Sequence, residues 1–295
     1  MTSTTSSRSI IVTIFLMSLF AAAIKRYSPT ILTRPIVKPI ATRAMHIQSI
    51  PMWEGSGNNY AYLVSDDKTK EAVIIDPANP PEVIEHLKKK TSAGFKLSKI
   101  INTHHHHDHA GGNKEIQKAF NLPVMGGADC NLVAETPSHN SKFKVGSINV
   151  TALHTPCHTQ DSICFFFEDG SDRAVFTGDT MFIGGCGRFF EGTPKEMHAA
   201  FKTLGALPDD TKVFPGHEYT KGNVKFAKTV LNNDAIKKLD EYSQANKETQ
   251  GKFTIGDEKK HNVFMRTDDP ELQKLTGKTD PIDVMGALRS MKDNA

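Results

Sequence analysis

The sequence predicts an α/β layered fold, with sheets covered by helices, followed by a smaller, mainly helical part. Three observations carry this. Short runs rich in Ile, Val, Phe and Tyr, each bounded by Gly, Asp, Asn or Pro, recur after Met45 and read as strands. Helical signals sit between some of these runs, as they must where helices cover a sheet. After about residue 219 the strand signals fade and charged, helix-periodic segments take over.

In chain order, strands are expected at 60–64, 72–75, 99–102, 148–153, 162–167, 174–177 and 212–214. Asn79, Pro80 and Pro81 set a cap and two prolines ahead of a helix over 83–90, since proline fits the first helical turn. Thr193-Pro194-Lys195-Glu196 reads as a capping box, and Met197, Ala200, Phe201 and Leu204 follow at helical spacing. Residues 222–231, 235–245 and 281–291 also read as helices, and the charged run 237–247 as a solvated helix face. The expected organisation is a presequence over 1–44, a main domain over 45–218 and a helical domain over 219–295.

The chain has 295 residues, with 36 Lys and Arg against 33 Asp and Glu. Arg8, Lys25, Arg26, Arg34, Lys38 and Arg43 all precede Met45, in a stretch with no acidic residue. The remainder is slightly acidic, which argues against a nucleic-acid-binding body. Cys130, Cys157, Cys164 and Cys186 show no CxxC spacing, so neither a disulfide scaffold nor a zinc knuckle is expected. The apolar run 10–24 contains Thr13 and Ser18 and falls short of the ~18–20 residues of a membrane span, so no stable membrane insertion is expected. A Ser-, Thr- and Arg-rich segment without acids suits a presequence directing the protein to the mitochondrial matrix. A second start at Met45 would give a cytoplasmic form.

The feature that carries chemistry is Thr103-His104-His105-His106-His107-Asp108-His109, between a strand and Gly111-Gly112. It is internal and interrupted by Asp108, unlike a purification tag. Imidazole and carboxylate are the usual ligands of zinc-like divalent ions. His104, His106, Asp108 and His109 exceed what one catalytic ion takes from a single loop while keeping an open position, which points to two ions sharing the loop. Completing ligands stand at other strand ends or Gly/Pro turns: His158 in TPCHT, Asp179 in TGDT and His217 in FPGHE. His105 and His107 alternate with the ligands and are expected to point away. Cys157 and Cys186 are expected to be packing residues.

These residues resemble the HxHxDH signature and later metal positions of the metallo-β-lactamase superfamily. Within it the chain resembles glyoxalase II, the hydroxyacylglutathione hydrolases, through THHHHDHAGGN, TPCHT, TGDTMFIGGCGRFFEGT, FPGHEYT and the later Asn262-Val263-Phe264-Met265-Arg266. The resemblance implies an αββα sandwich with metals at the edge of its two sheets. It implies that His104, His106 and His158 hold one ion, that Asp108, His109 and His217 hold the other, and that Asp179 bridges them. Zinc is the default metal, with iron or manganese as alternatives.

The resemblance also implies the reaction. An S-(2-hydroxyacyl)glutathione thioester such as S-D-lactoylglutathione would be hydrolysed to glutathione and D-lactate, the second step of methylglyoxal detoxification. The nucleophile would be a hydroxide bridging the metals, with Asp108 and Asp179 as the catalytic carboxylates. There would be no acyl-enzyme, and the sequence holds no GxSxG elbow. Arg188, Phe190, Tyr219 and Arg266 are the expected substrate contacts, in a protein expected to be monomeric. Two positions depart from the family pattern: Arg188 stands where Lys is common, and Phe190 where Tyr is common. No further basic residue follows closely after Arg266. The alternative reading is a mononuclear-iron glutathione persulfide dioxygenase on the same scaffold.

Overall fold

The computed structural model describes residues 45–295 and the isolated Met1; the expected presequence otherwise lies outside the described residues. From Met45 onward the described residues belong to one compact unit. Its elements are β1 (Met45–Met52), β2 (Asn59–Asp66), β3 (Glu71–Ile75), α1 (Pro80–Ser92), β4 (Lys96–Asn102), α2 (His107–Ala110), α3 (Asn113–Phe120), β5 (Val124–Gly126), β6 (Val133–Glu135), β7 (Lys142–Val145), β8 (Ile148–His154), β9 (Ile163–Asp169) and β10 (Asp172–Gly178). Then follow β11 (Met181–Phe182), β12 (Gly185–Cys186), α4 (Pro194–Gly205), β13 (Lys212–Pro215), α5 (Thr220–Val230), α6 (Asp234–Ala245), α7 (Ile255–His261), α8 (Pro270–Thr276) and α9 (Pro281–Asp293).

Two sheets face each other. One has the order β1-β2-β3-β4-β5-β6 and the other β13-β10-β9-β8-β7, while β11 and β12 make a small hairpin of their own. The first sheet begins antiparallel and turns parallel from β3 onward. The second is antiparallel except for the parallel pair β10 and β13.

Side-chain alternation explains the layering, because successive residues of a strand point to opposite faces. In β2, Tyr60, Tyr62 and Val64 enter the layer between the sheets and meet Phe165, Phe167 and Phe176 of the second sheet. Ala61 and Leu63 point the other way, onto Val83 and Leu87 of α1 and Ile116 of α3. The outer face of the second sheet offers Cys164, Val175 and Val213, which pack with Met197, Phe201 and Leu204 of α4. Val224, Leu239, Phe264 and Leu288, from the helices after residue 219, join that same cluster. The architecture is therefore the expected αββα sandwich, with its second helical layer thickened by the C-terminal helices.

The seven expected strands form, each somewhat longer than its apolar run suggested. The Thr193 capping box is present in full, with both reciprocal bonds between Thr193 and Glu196. Strands β1, β6 and β7 were not legible as apolar runs because most of their positions are exposed or half-buried. No helix among the described residues is long and apolar enough to cross a membrane.

Candidate metal centre and substrate cleft

The carboxyl ends of β3, β4, β8, β10 and β13 open on one rim, where open α/β sheets present side chains to ligands. After β4 the chain passes through Thr103, His104, His105 and His106 into α2, which carries Asp108 and His109. His158 follows β8, Asp179 follows β10 and His217 follows β13. The ligand atoms of His104, His106 and His158 lie within 4.8 Å of one another, as do those of Asp108, His109 and His217, and those of His104, His109 and Asp179. All of the expected metal-ligating side chains are thus brought together. Asp179 stands among both triads: its Oδ2 is 3.4 Å from His158 Nε2 and 3.3 Å from His217 Nε2, and its Oδ1 is 3.3 Å from His109 Nε2.

Local backbone makes this convergence possible. A Cβ on Gly216 would stand 2.4 Å from Asp179 Oδ1 and 2.6 Å from His109 Cε1, so only glycine lets the turn before His217 come this close. Gly178 adopts a φ of +48°, and a Cβ there would meet Thr103 Oγ1 at 2.4 Å.

The rings are aimed from behind. His109 Nδ1–H donates to Asp76 Oδ2 at 3.0 Å, His158 Nδ1–H to the Arg188 carbonyl at 3.0 Å, and His217 Nδ1–H to the Gly57 carbonyl at 2.9 Å. His104 Nδ1 lies 3.1 Å from Thr103 Oγ1, whose hydroxyl donates to Asp76 Oδ2 at 2.7 Å. With each Nδ1 protonated, each Nε2 turns a lone pair inward, the arrangement that metal-binding histidines need. His106 is the exception, since its inward atom is Nδ1, 3.1 Å from His158 Nε2.

Charge and burial both call for a cation here. His104 Nε2 and Asp179 Oδ1 are buried without a hydrogen-bond partner among the described residues, a costly state unless an ion completes it. Burial holds the His104 pKa well below its ordinary value. Burial also opposes charge on His109 and His217, but Asp179 outweighs it, helped by Asp76 on the first and Asp108 on the second, and raises both to about 10. Burial works against the Asp179 carboxylate, yet His217 and His109 hold its pKa well below the usual range. A divalent ion would displace the protons that His109 and His217 otherwise hold against Asp179, and the neutral imidazoles and carboxylates around this small buried space are the donor set such an ion takes.

His105 turns aside, its Nδ1 2.9 Å from Asp161 Oδ1, and His107 opens α2 outside the cluster. Cys157 and Cys186 are buried free thiols; Cys157 Sγ donates to the Thr193 carbonyl at 3.3 Å.

A cleft of about 1160 Å³ lies over the cluster, and His106, Asp108, His158, Asp179 and His217 reach it. Arg188, Phe190 and Tyr219 line it as expected. The Tyr219 ring stacks on His217 with centroids 4.5 Å apart, and Phe190, 61% exposed, stands 5.2 Å from the His158 ring. Arg266 is a correction. It does not line the cleft; its guanidinium pairs with Asp269 at 2.5 Å and donates to the Lys260 carbonyl at 3.3 Å. Arg289 and Lys292 of α9 are among the cleft's further cations, with Lys221, Lys225 and Lys247. Arg289 Nη1 donates to the Cys186 carbonyl at 3.0 Å, and Lys292 to Asn223 Oδ1. Burial, with Arg289 and Arg188 nearby, lowers the Lys292 pKa to about 8. Their i, i+3 spacing at the end of the expected helix 281–291 was the available signal, two helices beyond Arg266.

Comparison with known proteins fits these findings. Residues 55–129 and 141–217 match the model of the metallo-beta-lactamase superfamily, the class that the sandwich and its rim of metal-ligating side chains define. Residues 218–295 match the model described as hydroxyacylglutathione hydrolase C-terminus. A probable hydroxyacylglutathione hydrolase of Schizosaccharomyces pombe is 52% identical over 255 residues, covering 85% of this chain and 100% of the relative. The cytoplasmic isozyme of Saccharomyces cerevisiae is 42% identical, covering 84% of this chain and 99% of the relative. The mitochondrial isozyme of that yeast is 38% identical, covering 80% and 90%. Among solved structures, ETHE1 from Myxococcus xanthus aligns with a TM-score of 0.58 at 25% identity, covering 84% of this chain and 98% of that one. The chain belongs to the hydroxyacylglutathione hydrolase family and is a hydrolase of that class. Its yeast relatives include cytoplasmic and mitochondrial isozymes.

Proposed function

We propose that this protein hydrolyses S-(2-hydroxyacyl)glutathione thioesters, S-D-lactoylglutathione first among them, at a pair of divalent ions, most readily zinc. The observation that carries the reading is the position of Asp179 between two triads of ligand atoms. His104, His106 and His158 would hold one ion, Asp108, His109 and His217 the other, and Asp179 would be shared. Bound divalent ions supply an ionised water at neutral pH and polarise a carbonyl.

The chain's own residues supply the rest. The Asp108 side chain is 43% exposed at the cleft, where its carboxylate can orient a water as well as bind metal. Arg188, Arg289 and Lys292 face the cleft and suit the two carboxylates of glutathione. Phe190 and Tyr219 provide apolar walls beside the reacting carbon. In the reaction a C–O bond forms and the C–S bond breaks. The departing thiolate needs no strong acid, because a thiol ionises near pH 8.5. An arrangement of residues 1–44 as a mitochondrial presequence, 45–218 as the catalytic domain and 219–295 as the substrate-binding domain fits this reading. A cytoplasmic form starting at Met45 agrees with the two yeast isozymes.

The test is to give the purified protein S-D-lactoylglutathione and follow the thioester absorbance, with glutathione persulfide in an oxygen electrode as the counter-assay. Loss of thioester without oxygen uptake is expected. Oxygen consumption with persulfide and no thioester loss would overturn the reading in favour of the dioxygenase.

A further inference from the structure

Asp108 is held differently from the other ligands. His104, His109, His158 and His217 are buried and anchored through Nδ1. Asp108 reaches the open cleft, and its carboxylate has one neutral anchor, the amide of Asn59. Asn59 Nδ2 donates to Asp108 Oδ2 at 3.0 Å and to the Asp108 main-chain carbonyl, also at 3.0 Å. One amide thus grips both the loop and its side chain.

Asn59 is itself firmly placed. It is 1% exposed, opens β2 and forms an isolated antiparallel bridge with His217. On either side of it, Tyr60 N–H donates to the Gly216 carbonyl and Glu218 N–H to the Asn58 carbonyl, each at 2.9 Å. The loops carrying Asp108 and His217 are therefore joined through this residue. Two acceptors on Asp108 fix which end of the amide faces them, since only the NH2 end can donate.

We infer that Asn59 is a positioning residue, whose amide holds the Asp108 carboxylate in place as a ligand for the ion shared with His109 and His217. The chemistry favours an amide over its alternatives. An Asp there would set a second anion against Asp108, and a Lys would neutralise the ligand and compete with the ion. Oδ2, the oxygen that Asn59 holds, is also the one facing His217 Nε2 at 3.3 Å and His109 Nε2 at 3.8 Å, so the amide fixes the ligand atom itself, whose second lone pair remains for the ion. Partners of this kind are worth about 10–100-fold in metal affinity.

This inference rests on the two-ion reading above, and the test separates the two. Metal-stripped wild type, Asn59→Ala and Asn59→Leu are titrated with zinc by calorimetry, and the melting temperature of each metal-free protein is measured. Leu keeps the volume without a donor, should Ala leave a harmful gap. The expected result is two binding events in the wild type. In the variants one event weakens by about 10–100-fold, while the other event and the metal-free melting temperature hold. Wild-type affinities at both sites of the variants would overturn the inference alone. So would a joint loss of both affinities with a lowered melting temperature, which marks a merely structural role. A single event in the wild type would remove the two-ion reading and this inference with it.

Discussion

Lys292 lies in the cleft beside Arg289 with its pKa lowered to about 8. It is charged below that pH and neutral above it, so it attracts a glutathione carboxylate only in the lower range. The KM for S-D-lactoylglutathione should therefore climb as pH rises through that value. Lys292→Arg, whose guanidinium stays charged, should flatten the climb. Lys292→Ala should raise KM about ten-fold at neutral pH and leave kcat nearly alone, as loss of uniform binding does. Arg266→Ala should change neither, since Arg266 is engaged with Asp269 and Lys260 away from the cleft. Steady-state kinetics across the pH range checks all three; a flat KM for the wild type would remove Lys292 from the site. The clustered His and Asp side chains were legible in the sequence because their types are rare in clusters and each sits at a strand end or a Gly/Pro turn. Their anchors were not. The Gly57 and Arg188 carbonyls have no side-chain signature, and Asn59 and Asp76 gain meaning only from the distant residues folding brings to them.

At the scale of elements, the β11–β12 hairpin shows how the C-terminal helices serve the cleft. Its chain continues into Gly187 and Arg188. It is held from beneath by Glu258, a fully buried carboxylate of α7. Glu258 accepts from Gly184 N–H at 3.0 Å, from Asn262 Nδ2 at 2.8 Å and from His261 Nε2–H at 2.8 Å. Asn262 also donates to the Gly185 carbonyl at 3.0 Å. Glu258→Ala strands these donors in the core and should cost about 3 kcal/mol of stability, read from denaturant unfolding; a cost under about 1 kcal/mol, the size of a surface effect, would contradict this account. The three longer helices after residue 219, α5, α6 and α9, were foreseeable from their periodicity, and so were the long apolar strands, whereas α7 and α8, of 7 residues each, were not. The two-residue strands of the hairpin carry too little pattern to be read. Their pairing is fixed by the helices packed below, which no local window contains.

For the whole molecule, the side chains proposed as metal ligands come from loops after four separate strands, so ions held among them would fasten both sheets at one rim. Removing the ions should leave the Asp179, Asp108 and Asp76 carboxylates with only the protonated His109 and His217 to balance them. A ligand present at ~1,000 times its Kd adds about 4 kcal/mol of stability, which for a body of this size is about 10 °C in Tm. Chelation should lower Tm by about that much, and zinc should restore it; an unchanged Tm would mean that the ions do not fasten the rim. The central claim is that two ions share Asp179, and anomalous diffraction from crystals of the zinc-loaded protein tests it most directly. Two peaks about 3.5–4 Å apart are predicted, one against His104, His106 and His158, the other against Asp108, His109 and His217, with Asp179 touching both. A single peak, or peaks away from Asp179, would contradict the account.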